Sequence, residues 1–75
     1  IISVYPNPAK NILNVNIGST PSSIIINDVN GKIVYNSSNQ SGLVELKVND
    51  WSNGIYFIKI VNENETFVDR LMINK

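Results

Sequence analysis

Short apolar runs that alternate residue by residue constrain this chain more than any other feature. In the stretch NILNVNI, Leu13, Val15 and Ile17 alternate with Asn14 and Asn16; in LVELKV, Val44, Leu46 and Val48 alternate with Glu45 and Lys47. Side chains of a strand point to opposite faces with a period of two, so each run has one buried face and one wet face. Ile24-Ile25-Ile26 and most of residues 55–61 are apolar in both phases, which predicts central strands or cover from a neighbouring loop. No window sustains the i, i+3, i+4 spacing of an amphipathic helix.

The runs are separated by Asn, Gly, Ser, Pro and Asp at the regular intervals of a sandwich or barrel. They predict strands over residues 2–5, 12–17, 23–28, 32–36, 44–48, 55–61 and 66–73. Seven short strands is the count of an immunoglobulin-like antiparallel β-sandwich, and we expect an all-β fold of that kind in one domain spanning residues 1–75. Asn30-Gly31 is a hairpin signal, because both residue types tolerate φ > 0. Asn53-Gly54 follows Trp51 and opens the strand GIYFIKI, and NENE, residues 62–65, is a polar turn joining the last two strands.

With 75 residues, folding buries only about 60–65% of the surface of the unfolded chain, so the core must be economical. There is no cysteine to staple it. Six basic and six acidic residues balance to zero and form no cationic cluster, which argues against nucleic acid as a partner. No apolar run reaches the roughly 18–20 residues that span a bilayer as a helix. The chain begins without Met and without an export signal, so it reads as a piece of a longer polypeptide.

In VYPNPAKN, residues 4–11, Pro6 and Pro8 stand one residue apart. Within an extended strand they remove two successive N–H donors from one side, while Asn7 can donate on the other. Residues before proline favour extended geometry, so a stiff, extended edge strand protected against aggregation is expected at the start of the domain.

Few residues of the chain are suited to catalysis or metal binding. Without His, a His-based triad or a His-containing zinc site is excluded. The three Asp and three Glu are scattered, no glycine-rich phosphate loop occurs, and no enzyme activity or cofactor is expected. Asp28-Val29-Asn30-Gly31 looks like the start of a calcium loop, but the later oxygen ligands and closing Glu are missing, so a hairpin turn is expected. Asn-x-Ser/Thr triplets at Asn36, Asn39 and Asn64 are read as markers of surface loops. Trp51 with Tyr5, Tyr35 and Tyr56 is the set that a sugar-stacking platform would use. A lone Trp just before a Gly-initiated strand fits a cap over the open end of a sandwich better.

Taken in order, VYPNPAKNILNVNI, IINDVNGKIVY, LVELKVNDWSNGIYFIKI and the basic-ended FVDRLMINK resemble the C-terminal sorting domain of type IX secretion substrates, type A family. The resemblance covers essentially the whole chain. It implies an immunoglobulin-like address label, fused to the C-terminal side of a cargo, in Gram-negative bacteria of the Bacteroidota. Cargo of this kind is exported to the periplasm, crosses the outer membrane through the type IX translocon, and reaches the cell surface or the medium. A sortase-like surface peptidase typically removes the label there, and the cargo is released or attached.

Residue by residue, Pro6, Asn7 and Pro8 match the family's first block. Gly31 and Lys32 match its central turn, and Gly54 and Tyr56 its penultimate strand. Arg70, Leu71, Met72, Ile73, Asn74 and Lys75 match the region to which signal activity is attributed, here with only two cations. A terminal strand with a bare edge and a free carboxylate suits recognition by strand addition and carboxylate capture. Bare edges on the first and last strands also suggest a weak edge-paired homodimer. The reading from a different class is a carbohydrate-binding or adhesive immunoglobulin-like module, which requires an exposed aromatic row on one face.

Overall fold

The computed structural model describes residues 2–75. Each of the seven expected runs forms a strand: β1 (Ser3–Tyr5), β2 (Ile12–Asn16), β3 (Ser22–Asp28), β4 (Ile33–Gln40), β5 (Leu43–Lys47), β6 (Gly54–Val61) and β7 (Thr66–Ile73). They form two antiparallel sheets, ordered β1-β2-β5 and β4-β3-β6-β7. The chain changes sheet between β2 and β3, β4 and β5, and β5 and β6, which makes an immunoglobulin-like sandwich.

The alternating runs turn their apolar phase inward. Leu13, Val15 and Ile17 are buried with Leu46 and Val48 on one side. Ile24, Ile26, Tyr56, Ile58, Ile60, Leu71 and Ile73 face them from the other. Full burial of each such side chain is worth about 1.5–3 kcal/mol. β3 and β6 are the central strands of the four-stranded sheet, but only one phase of each is buried: Ile25 is half-buried and Phe57 exposed on the outer face, so their second apolar phase is not core.

Three local expectations are corrected. Both Tyr5-Pro6 and Asn7-Pro8 are cis, and the chain bends after β1 instead of continuing as an extended edge strand. The bend takes residues 6–9 across to the other sheet, where Ala9 forms a parallel bridge with Ile73. Second, the β3–β4 hairpin does not place both Asn30 and Gly31 at positive φ. Only Gly31 has it, at 86°. Its N–H donates to the Asp28 carbonyl at 3.1 Å, and the Asp28 N–H donates to the Lys32 carbonyl at 2.9 Å. This is a three-residue loop, a turn followed by one left-handed residue. Third, β4 runs on to Gln40, so Asn36 and Asn39 lie on a strand; only Asn64 of the three triplets lies in a turn. Pairing with β3 holds this polar extension, with a register shift between Ser22 and Ile24 and a positive φ of 57° at Asn39.

Candidate functional site

The antiparallel registers gather three loops and the last residues at one pole of the sandwich. Tyr5 pairs with Asn14, Ile12 with Lys47, Asn27 with Ile33, Asp28 with Tyr56, and Gly54 with Ile73. Residues 6–11, the hairpin around Gly31, residues 48–53 and the last residues of the chain therefore meet at the same end.

Asn7 is the hinge of this arrangement. Its Nδ2 donates to the Arg70 carbonyl at 3.1 Å, and its Oδ1 accepts the Met72 N–H at 2.9 Å. Ala9 continues the pattern: its N–H donates to the Met72 carbonyl at 2.9 Å, and its carbonyl accepts the Asn74 N–H at 3.0 Å. A side-chain amide and one residue of backbone, together with Asp69 Oδ1 accepting the Arg70 N–H at 2.8 Å, thus satisfy the outer edge of β7 from Arg70 to Asn74. That part of the edge is covered, while β7 remains the last strand of its sheet.

The final residue is also held. The Lys75 N–H donates to Asn53 Oδ1 at 3.0 Å, and its Nζ donates to the Asn49 carbonyl at 2.8 Å. Nothing in the sequence marks Asn49 or Asn53 as partners of a residue more than twenty positions away. Their occurrence in a polar loop before a Gly-initiated strand is the one available hint.

The hairpin and the loop before β6 build the rest of the pole. Asp28 Oδ1 accepts the N–H groups of Asn30 and Lys32, both at 2.9 Å, so its carboxylate organises the turn. Among the described residues, no group of three or more His, Cys, Asp or Glu is placed to hold a metal. Gly54 opens β6 at φ 148°, in the range that favours glycine. Tyr56 is buried in the core and its hydroxyl donates to the Ser52 carbonyl at 2.7 Å. Trp51 is half-buried against the core with its ring 5.2 Å from that of Tyr56, as the cap reading expects. An open groove of about 580 Å³ lies between the two loops, lined by Lys32, Trp51, Gly54 and Tyr56 among others.

The anticipated site residues thus fall into two adjoining groups. Pro6, Asn7, Pro8, Arg70, Met72, Asn74 and Lys75 are exposed around the end of β7, whereas Leu71 and Ile73 are core. Lys32, Gly54 and Tyr56 line the groove, and Gly31 precedes Lys32 in the hairpin loop without lining it. Ile55 lines both the groove and a second depression beside Asn7, and so joins them. The aromatic residues form no exposed row: Tyr5 is on β1, Tyr35 pairs with the buried Ile26, and Tyr56 and Trp51 pack on one another.

The family described as the secretion system C-terminal sorting domain matches residues 3–74. The chain belongs to this family. A type IX sorting domain acts by directing a protein out of the cell, and that is the function of the fold described above. Among solved structures, the chain is similar to PorZ, an essential bacterial surface component of the type-IX secretion system of Porphyromonas gingivalis. The TM-score is 0.82 at 17% identity, over 99% of this chain and 11% of the PorZ chain. At that identity the likeness concerns the fold, and the chain spans only about a tenth of the larger protein. No curated protein matches the sorting domain significantly.

Proposed function

We propose that residues 1–75 form one folded label, attached to the C-terminal side of a cargo, and that the type IX translocon reads the pole where the Pro6-Asn7-Pro8 block meets the end of β7. The observation that carries this reading is the double hydrogen bond of Asn7 to the Arg70 and Met72 backbone. It welds the two blocks that the family resemblance singles out into one surface. In this reading the label travels with its cargo through the periplasm to the cell surface. There a sortase-like peptidase cuts in the linker that precedes β1, where the chain leaves the folded body. Recognition does not require a catalytic group in the label itself.

The test is a fusion of the chain to the C-terminal side of an unrelated folded reporter, expressed with and without a functional type IX machinery. The expected result is reporter at the surface or in the medium only when the machinery is present. A reporter that stays in the periplasm in both strains would sink the proposal.

A further inference from the structure

Cross-strand register decides which side chains share the outer face of the four-stranded sheet. Lys59 stands opposite Val68 on β7 and Ile25 on β3; Phe57 stands opposite Arg70, and Ile55 opposite Met72. Ile33 joins the same face through its pairing with Asn27, itself opposite Phe57. Phe57 is 39%, Met72 41%, Ile33 56% and Val68 64% exposed. Single exposed apolar residues need no explanation, but a contiguous group on one sheet face does.

The charges on this face are segregated as well. Lys59 and Arg70 are diagonal neighbours, about 7–8 Å apart at the backbone. None of the six acids joins them. Asp28 ends β3 opposite the buried Tyr56 and so belongs to the inner side, Asp50 lies in a loop at the same pole, Glu63 and Glu65 in the turn at the other, and Glu45 on the opposite sheet. Asp69 pairs with the buried Ile58 and so belongs to the other side of β7. Among the described residues, the side chains that the register turns to this face carry two charges, Lys59 and Arg70, both positive, in a chain of zero net charge. At its end, Asn7, Ile55, Asp69, Arg70, Leu71 and Met72 line a depression of about 290 Å³ that can take an inserted side chain, and there Asp69 Oδ1 accepts the Arg70 N–H at 2.8 Å.

We infer that this face docks a protein surface that presents an apolar anchor flanked by carboxylates. The inference rests on the sorting reading, and it names the chemistry of the partner: an acidic-rimmed apolar patch on a component of the secretion machinery. Charge complementarity selects that occupant. A second copy is disfavoured, because a two-fold contact would set the Lys59 and Arg70 pairs against each other. A bilayer is disfavoured too, since electrostatic membrane binding draws on clusters of about 4–8 cations.

The experiment uses the reporter fusion with Lys59→Glu and Arg70→Glu combined, and Lys47→Glu on the opposite sheet as control. The expected result is a loss of secreted reporter of about tenfold or more in the double variant and wild-type secretion in the control, with matching thermal unfolding of both. Phe57→Ser with Val68→Ser repeats the test without changing charge, should the double variant unfold. In parallel, the purified chain is titrated with a peptide of alternating Leu and Glu. Binding is expected to weaken with added salt and to vanish in the double variant. If the wild-type fusion is secreted and both face variants are secreted equally well, the docking face is wrong and the sorting reading stands. A wild-type fusion that is not secreted overturns the sorting reading and this inference with it. Binding to vesicles of anionic phospholipid that the same substitutions abolish would overturn the choice of a protein partner.

Discussion

The side-chain oxygen of Asn7 accepts the backbone N–H of Met72 at 2.9 Å, across sixty-five positions of sequence, while the Asn7 amide donates to the Arg70 carbonyl. One amide side chain here does what a neighbouring strand would do for β7. Replacing it by Ala removes both bonds and opens the strand edge to water. Asn7→Ala is expected to lower stability by about 1–2 kcal/mol, as two solvent-accessible hydrogen bonds imply. Amide exchange at Met72 should accelerate more than at Ile58 in the core. Unchanged exchange at Met72 would show that the clamp is idle in solution.

Gly31 gives a test of backbone conformation free of packing, because a Cβ added there meets nothing within 4 Å. Its φ of 86° is the whole difficulty. Gly31→Ala should cost about 1–2 kcal/mol and Gly31→Asn less, since Asn tolerates the left-handed region better. Denaturant midpoints in the order wild type, Asn, Ala check this; equal midpoints would contradict the turn geometry.

Tyr56→Phe removes the bond to the Ser52 carbonyl and leaves the ring against Trp51. A loss of about 0.5–1.5 kcal/mol is expected, with Trp51 fluorescence unchanged in the folded state. A shifted emission maximum would mean that the hydroxyl also positions the indole.

Ser37 carries a buried hydroxyl with no hydrogen-bond partner, opposite Ile24 on β3. An unsatisfied buried group is a penalty, so Ser37→Ala should leave stability equal or raise it. At about 4–8 °C per kcal/mol for a domain of this size, a gain of 1 kcal/mol is readily seen in Tm. A lower Tm would show that the hydroxyl does contribute a bond.

Ile58 is fully buried at the centre of β6. Truncation to Ala typically costs about 2–5 kcal/mol, against a total of roughly 4–11 kcal/mol for 75 residues. Ile58→Ala should therefore unfold a substantial fraction of the domain at growth temperature, and secretion of a fused reporter should fall with the folded fraction measured by circular dichroism. Full secretion of an unfolded variant would mean that the machinery reads linear sequence rather than the fold.

Much of the fold is legible in the chain because strand alternation is a local property. Leu13, Val15, Leu46 and Val48 announce the buried phase by their spacing alone, and the Ile24 to Ile26 run announces a central strand. The end of β4 was not legible: residues 37–40 are polar, and only the ladder with β3 makes them a strand. The hairpin was legible as a turn but not in type, since the Asp28 carboxylate, with its two backbone donors, decides which residue takes the left-handed position.

The sequence by itself determined the seven strands, their buried faces and the membership in a sorting family, because periodicity, turn chemistry and motif order are all written in near-neighbour positions. Only the tertiary structure decided what Pro6, Asn7 and Pro8 do. Read alone they describe an extended edge strand; in the fold they bend across to β7 and close its edge. The difference is physical: hydrogen bonds between groups 63 and 65 positions apart have no local trace, and they exist only once the two sheets have packed and brought the first loop to the last strand.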